Sequence, residues 1–264
     1  MIFYVKSFLI GSLIVSQLLH DNLKADSNWP SWRGSTGNGT APDTSNPPTE
    51  WSEEKNILWK TKLEGLGHST PVIWEDKIFL TSAVPFGKKT IPPVPDNAPG
   101  SHDNLPVSQS HRFLVICIDK KSGKIIWKTK CHESFPHEGG HKSGSLASAS
   151  PVTDGKHLFA YFGSHGLFSI DCKTGKIIWK RDFGTMATKH GHGEGSSPAL
   201  RGNALIINWD HEKQSAIYAL NKLTGENLWK VERKEVTSWS SPLIVEVDNT
   251  NQVIISATDR IRGY

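Results

Sequence analysis

Apolar and polar positions alternate along this chain in short runs, and turn signals separate the runs at regular intervals. Residues 150–180 hold four such runs, rich in Val, Ile, Phe and Tyr, with turns at residues 154–156, 164–166 and 171–175. Runs of this length, bounded by Gly, Asp and Ser, predict β-strands joined by hairpins. The stretch therefore predicts one small sheet of four antiparallel strands.

The same pattern recurs elsewhere in the chain. It returns at residues 197–230, occurs in looser form at residues 70–128, and begins once more at Ser241. The three full copies end on the same residue type, at spacings of 52 and 50 residues: Trp127, Trp179 and Trp229. A four-stranded unit repeated about every 50 residues is typical of a β-propeller blade. We therefore predict an all-β propeller of four-stranded antiparallel blades, with almost no helix.

The repeat register sets the expected domain boundaries. Residues 1–25 lie outside the fold, residues 26–55 form an extended strap, and residues 56–264 form the propeller. Inside the propeller we expect a closing strand at 56–62, blade one at 69–130 with an insert at 83–112, blade two at 149–183, blade three at 196–232 and a partial blade four at 240–264. The proline-rich insert predicts an irregular ordered loop, which serves either function or packing over the rim.

The N-terminal segment predicts export. Lys6 precedes an apolar run from Ser7 to Leu19, which is short for a bilayer span, and Ala25 offers a small residue for cleavage. A secretory signal peptide is the favoured interpretation, and an uncleaved anchor is the alternative because Leu23 is large for a cleavage site. No cysteine follows the apolar run, so lipid attachment there is not expected. We expect a periplasmic or secreted protein without a transmembrane span in the mature chain.

The turn before each fourth strand has a shared chemistry. Asp or Asn opens the turn and Gly closes it, at residues 119–123, 171–175 and 221–225. The side chain at the start can bond the backbone two residues on, and Gly supplies the positive φ of a bulged hairpin. The Trp four residues later is large enough to cover the seam between blades. Six residues are therefore predicted to be structural: Gly123, Gly175, Gly225, Trp127, Trp179 and Trp229.

The repeated element, A-x-D-x-x-T-G-K-x-x-W, resembles the repeat of pyrroloquinoline-quinone (PQQ)-type propellers. Its copies here run from Ser169 to Trp179 and from Ala219 to Trp229. That superfamily includes quinoprotein dehydrogenases and the non-enzymatic outer-membrane assembly factor BamB. With residues 29–34 (W-P-S-W-R-G) and 189–195 (K-H-G-H-G-E-G), the sequence is similar to exported, largely uncharacterised propeller proteins of planctomycete-type bacteria. The resemblance covers the chain from Ile57 onward and is specific for the fold rather than for an activity.

The resemblance does not extend to the catalytic features of the quinoprotein enzymes. Quinoprotein alcohol dehydrogenases stack the quinone on a disulfide of two adjacent cysteines, whereas Cys117, Cys131 and Cys172 lie far apart in this chain. Their calcium-binding Glu, Asn and Asp positions also have no counterpart that we can place. No catalytic residue is carried over, PQQ is not supported as a cofactor, and an enzyme is less expected than a binding protein. The odd number of cysteines leaves at least one of them free.

Two arrangements of the chain ends remain open. The strand around Trp59 completes blade four in a closed four-bladed ring, or the chain is the first half of a propeller of seven or eight blades. Four blades require a right angle between neighbours, whereas PQQ-type blades pack at about half that angle. A stop in mid-strand also leaves an open ladder edge. We favour an incomplete ring of about four blades, with Trp59 far from Tyr264.

Antiparallel topology sorts the connections between strands onto two ends of each blade. The connections between blades and those between second and third strands share one end, which we call the link face; the glycine turns lie at the other end, the turn face. Most of the 12 histidines fall on the link face, and imidazole and carboxylate groups bind divalent metals or act as acids and bases. The candidate metal ligands are His141, His190, His192, Glu194, Asp210 and His211. A protein- or glycan-binding surface and simple loop structure are the alternatives.

The link face is expected to carry the function of the protein. We expect an exported scaffold for binding or assembly, with the His-rich link face in contact with a protein or glycan of the cell envelope. The alternatives are a quinone- or metal-dependent oxidoreductase that uses the same face, and a structural fragment of a longer protein. The net charge of +4 is too small to indicate a nucleic-acid partner. A divalent metal remains a possible cofactor.

Overall fold

The computed structural model describes residues 28–42, 45–90 and 103–264. Within these residues, regular structure consists of seventeen β-strands and two single turns of 3₁₀ helix, at Gly163–His165 and Lys189–Gly191. The predicted all-β fold is therefore confirmed. The expected signal peptide at residues 1–25 and the central part of the insert lie outside the described residues.

The strands form successive antiparallel sheets in the order expected of propeller blades. Blade one contains β1 (Val72–Trp74), β2 (Lys77–Phe86), β4 (Ser110–Asp119) and β5 (Ile125–Ser134); blade two contains β7 (Val152–Thr153), β8 (His157–Tyr161), β9 (Leu167–Asp171) and β10 (Ile177–Arg181). Blade three contains β11 (Ala199–Arg201), β12 (Ala204–Trp209), β13 (Ser215–Asn221) and β14 (Asn227–Arg233). Partial blade four contains β15 (Leu243–Val247), β16 (Thr250–Ser256) and β17 (Ile261–Gly263), and a small ladder joins β3 (Asn104–Leu105) to β6 (Gly140–His141).

The hydrophobic core lies in layers between neighbouring blades. One layer joins blades one and two through Phe79 and Phe113, a second joins blades two and three around Phe159, and a third joins blades three and four around Ile206. The first strands of successive blades also contact one another. Because apolar side chains on both faces of a middle blade are buried this way, each blade depends on its neighbours for stability.

The blades do not close into a ring within the described residues. Strand β17 pairs only with β16 there, and residues 56–60 form no strand with residues 261–264. Instead, Trp59 donates its Nε1 proton to the carbonyl of Lys120 at 3.0 Å, on blade one. The expected open arc of about four blades is confirmed.

Seam tryptophans cover the glycine turn of the next blade. A Cβ added at Gly175 would lie 2.7 Å from the Trp127 ring, and one at Gly225 would lie 2.9 Å from Trp179. Trp127 and Trp179 are half-buried in these seams. Trp229, expected to be equivalent, is instead 36% exposed, because no glycine turn of blade four lies over it in the described part of the chain.

The insert of blade one is more regular at its base than the sequence predicts. Strand β2 continues to Phe86 and β4 begins at Ser110, so the hairpin extends beyond the predicted strand ends near residues 82 and 113. The guanidinium of Arg112 lies 4.3 Å from the centre of the Phe86 ring, across this extension. Cation–π contact of this kind stabilises the paired conformation.

The N-terminal strap crosses the first strands of several blades. Trp29 and Ile73 exchange backbone hydrogen bonds of 2.9 and 2.8 Å, and the Thr153 N–H donates to the Pro30 carbonyl at 2.9 Å. Farther along, a Cβ at Gly37 would lie 3.0 Å from Leu243 Cδ1. The strap therefore contacts blades one, two and four.

Among the described residues, no helix is long and apolar enough to cross a membrane.

Candidate functional site

The connections on the link face contact one another across the blades. The His141 N–H donates to the His192 carbonyl at 3.0 Å, and the Glu212 N–H donates to the Ala187 carbonyl at 2.9 Å. Trp239 donates its Nε1 proton to the Gly193 carbonyl at 2.7 Å. The link face is thus a continuous surface assembled from several blades.

Two carboxylates tie consecutive links together. Glu138 accepts hydrogen bonds from the backbone and the hydroxyl of Thr188, the latter at 3.0 Å. Glu212 accepts bonds from the backbone and the hydroxyl of Thr237, at 3.1 and 2.6 Å. The Thr237 hydroxyl in turn accepts the Lys189 N–H at 2.8 Å. These bonds connect the three links between blades one and four into one network.

Glu194 holds the loop between the second and third strands of blade two. Its carboxylate accepts the Ser164 N–H at 2.6 Å and the Ser164 hydroxyl at 2.5 Å. A Cβ at Gly163, whose φ is +56°, would overlap the Glu194 carboxylate, so this contact requires glycine. Burial raises the pKa of Glu194, against the opposing effect of the Ser164 hydrogen bonds. Glu194 is therefore a buried loop anchor.

A buried ion pair lies below the third link. The Asp210 carboxylate is 3.2 Å from the Arg233 guanidinium, and the two side chains are 0% and 1% exposed. Neither group completes a hydrogen bond with a described residue. Burial raises the pKa of Asp210 to about 6, although Arg233 acts to lower it. The stability of the fold with the Asp210 carboxylate buried therefore depends on the positive charge of Arg233.

A group of histidines fills the seam between blades one and two near the link face. His165 stacks on Phe113 with ring centres 4.2 Å apart, and the rings of His132 and His137 lie 5.7 and 5.9 Å from His165. Burial, followed by the neighbouring imidazoles, lowers the pKa of His165 to about 4. His165 is consequently neutral near physiological pH and serves as a packing group.

Acidification should destabilise the protein through His165. Its pKa in the folded protein is about 4 against an ordinary value of 6.5, so between these values the unfolded chain binds a proton that the folded protein excludes. The contribution is complete above pH 6.5 and decreases as the pH falls toward 4, by about 3 kcal/mol. Urea unfolding of wild type and His165→Phe across this range measures it.

The His165→Phe variant keeps a stacked ring but cannot titrate. Its free energy of unfolding should therefore increase relative to that of wild type as the pH falls. Asp210, whose raised pKa acts in the opposite direction, is present in both proteins and cancels in the difference. A difference between the two free energies of unfolding that stays constant with pH would contradict the assignment.

The six predicted metal ligands lie on the link face in separate environments. His192 is at the centre of one group, with its ring 5.1 Å from that of His141 and 5.4 Å from that of His190. Glu194 and Asp210 have the partners described above. The His211 ring accepts the Ala187 N–H at 3.2 Å and contacts the Gln214 carbonyl at 3.1 Å. The described residues include no group of three or more His, Cys, Asp or Glu side chains arranged to hold a metal ion.

A small space lined by both polar and apolar side chains lies on the link face. Its lining includes Tyr161, Glu194 and Asn208, and the space open to water is about 30 Å³. A volume of that size holds two or three water molecules, at about 10–15 Å³ each. The described residues that line this space include no cysteine, and we derive no reaction through a quinone.

Exposed apolar side chains also lie on the link face, and none of them is among the sequence-based candidates. They lie in the connections between blades or in the insert. Trp239 is 44% and Phe135 is 51% exposed, and the others are Leu66, Leu105 and Val236. The sequence-based candidates are histidine and carboxylate residues. The signal that could have revealed them is a single apolar residue within a connection rich in Gly, Pro and Ser, because such connections are ordinarily polar.

Comparison with solved structures identifies similar folds at low sequence identity. BamB from Moraxella catarrhalis is 14% identical, with 59% of this chain and 46% of that chain covered and a TM-score of 0.39. The quinohemoprotein alcohol dehydrogenase from Comamonas testosteroni is 13% identical, covering 82% of this chain and 28% of that chain with a TM-score of 0.46. A quinohemoprotein alcohol dehydrogenase from Pseudomonas putida HK5 is 12% identical, covering 92% and 36% with a TM-score of 0.50.

The chain spans less than half the length of each of these structures. The last of them shows the shared propeller fold. No curated protein matches the chain. The family model described as outer membrane protein assembly factor BamB matches residues 111–263, which is more than half of the 264 residues. The protein therefore belongs to the BamB family of PQQ-type repeat propellers.

Proposed function

We propose that the protein is an exported scaffold that binds a protein partner of the cell envelope on its link face. The observation that carries the proposal is the set of exposed apolar side chains on that face, with Trp239 and Phe135 the largest. Aromatic residues are enriched at protein interfaces, and Trp and Tyr are frequent among the residues that dominate binding energy. The family description, an outer membrane protein assembly factor, supports a role in binding or assembly.

The rigidity of the link face supports binding. Glu138 and Glu212 fix the backbones of successive links, and Trp239 is itself held by its bond to Gly193. Loops that are already ordered lose less entropy when a partner binds. The link face is therefore organised in advance to present its apolar groups.

The hydrogen bonds of the link face favour a scaffold over the oxidoreductase alternative. Both His211 nitrogens are engaged with backbone groups, and both Glu194 oxygens accept bonds from Ser164. These groups would have to give up structural contacts to act as metal ligands or as acids and bases. The exposed aliphatic groups also fit a protein partner better than a glycan, because sugars present mainly hydroxyl groups.

Binding should be tested with tagged protein against envelope extracts of the source organism. The variant Trp239→Ala with Phe135→Ala should bind the captured partner at least about 30-fold more weakly, since a residue that dominates an interface contributes about 2 kcal/mol or more. Leu223→Ala is the control, because Leu223 is an apolar residue that is 54% exposed but lies in the glycine turn of blade three. Equal binding of the double variant and wild type, or a loss confined to Leu223→Ala, would refute the proposal.

A further inference from the structure

We propose that the opposite end of the molecule, the turn face, docks on an anionic membrane surface. The contact groups are lysines and exposed isoleucines that repeat from blade one to blade two, together with Trp32 of the strap. The inference concerns a different surface and a different class of partner from the link-face proposal, so each can fail without the other.

The turn face of blades one and two carries an excess of positive charge. Its exposed lysines make no ion pair with another described residue: Lys120, Lys121, Lys124, Lys156, Lys173 and Lys176. Three carboxylates near them are also outside ion pairs, namely Glu75, Asp119 and Asp171. Six lysines against three carboxylates leave an excess of three positive charges on one end of two blades.

The carboxylates are held inside their own turns. Asp119 accepts the N–H and the hydroxyl of Ser122 at 2.7 and 2.6 Å, and Asp171 accepts the same groups of Thr174 at 2.7 Å each. Asp154 is neutralised by Lys222 at 2.7 Å. The lysines, in contrast, extend into solvent, so the outermost charge on this end is positive.

Exposed aliphatic side chains lie directly beside these lysines. Ile125 and Ile126 follow Lys124 at the start of β5, and Ile177 and Ile178 follow Lys176 at the start of β10. Ile126 is 46% and Ile178 is 47% exposed. Lysine stems lie along apolar surface while their ammonium groups reach for headgroups, and aliphatic side chains enter the acyl boundary. The lysine–isoleucine unit recurs at equivalent positions of two neighbouring blades.

The strap adds an aromatic residue to the same end. Pro30 is bonded to Thr153, next to the turn between the first and second strands of blade two. Two residues on, Trp32 is exposed, with the Arg33 guanidinium 4.7 Å from its ring centre. Tryptophan is enriched at the headgroup level of bilayers, and Arg33 adds a further positive charge.

A bilayer accounts for both sets of residues. A nucleic acid or another soluble polyanion would use the lysines chiefly through charge, and the repeated isoleucine pairs would contribute little to its binding. An anionic membrane attracts the lysines by its surface potential and also accepts apolar side chains. We therefore assign the turn face to a membrane surface rather than to a soluble polyanion.

The test is sedimentation of the purified protein with vesicles of phosphatidylcholine, with and without phosphatidylglycerol. Wild type should bind the anionic vesicles and release them as the salt concentration rises. The triple variant Lys124→Gln, Lys173→Gln, Lys176→Gln should bind on the order of 100-fold more weakly, at about fivefold per lysine. The matched control is Lys88→Gln, Lys89→Gln, Lys213→Gln, which removes the same charge from exposed positions away from the turn face and should bind like wild type.

A second variant separates a bilayer from a soluble polyanion. Ile126→Ser with Ile178→Ser keeps the charge and should bind anionic vesicles at least about tenfold more weakly, through lost apolar burial. All variants keep the same N-terminal segment and change exposed side chains, and their thermal unfolding should match wild type. Equal binding to neutral vesicles, full binding by the lysine variant, or full binding by the isoleucine variant would each overturn the proposal.

Discussion

Replacing Trp179 by alanine should lower the free energy of unfolding by about 3–5 kcal/mol, the range for a large aromatic residue in a packed site. The indole fills the seam between blades two and three, packs over Gly225 and donates to the Lys222 carbonyl at 3.0 Å. Its removal would leave both a cavity and an unpaired carbonyl. Denaturant unfolding followed by far-ultraviolet circular dichroism measures the loss.

The repeat supplies its own control in Trp229→Ala. Trp229 occupies the corresponding strand position but is 36% exposed, with no described glycine turn above it. We expect a loss of about 1 kcal/mol, as for an ordinary substitution. Similar losses of unfolding free energy in both variants would show that packing of the indole over the glycine turn contributes little to stability.

The second large effect is expected at Arg233. Changing it to methionine should cost about 3–5 kcal/mol, because an uncompensated charge is left in the interior. The Asp210 side chain is fully buried and lies 3.2 Å from the Arg233 guanidinium. Urea unfolding at neutral pH should show the decrease directly.

The double variant Arg233→Met with Asp210→Leu tests the cause. Removing both charges should restore most of the lost stability, since a buried ion pair replaced by apolar groups is often neutral or stabilising. If the losses of stability in the single variants Arg233→Met and Asp210→Leu simply added up in the double variant, Arg233 would act through packing alone. A fully stable Arg233→Met variant would contradict the prediction at once.

The sequence predicted the architecture because each blade carries local signals. The glycine turn at residues 171–175 needs a residue with positive φ, and Gly175 has a φ of +72°. The alternation of apolar residues around it sets the pairing of β9 with β10. These signals recur in each of the three full copies, so an ambiguous strand in one copy can be placed by comparison with the other two.

The candidate site was predicted less completely, for a physical reason. Topology places a residue at one end of a blade, but it does not determine which partner its side chain meets. Glu194 and His211 lie on the link face, where their polar groups are taken up by Ser164 and by backbone atoms of distant links. The ties at Glu138 and Glu212 join residues 50 and 25 positions apart, and no local pattern marks such pairs.

The strap gives the arc a property that blades alone would lack. An array in which each unit touches only its neighbours behaves as a one-dimensional chain of coupled units, and it can lose end units one at a time. By contacting blade one at Ile73, blade two at Thr153 and blade four at Leu243, the strap adds a coupling that skips neighbours. Fraying of blade four then also breaks strap contacts, so the strap raises the cooperativity of unfolding along the whole arc.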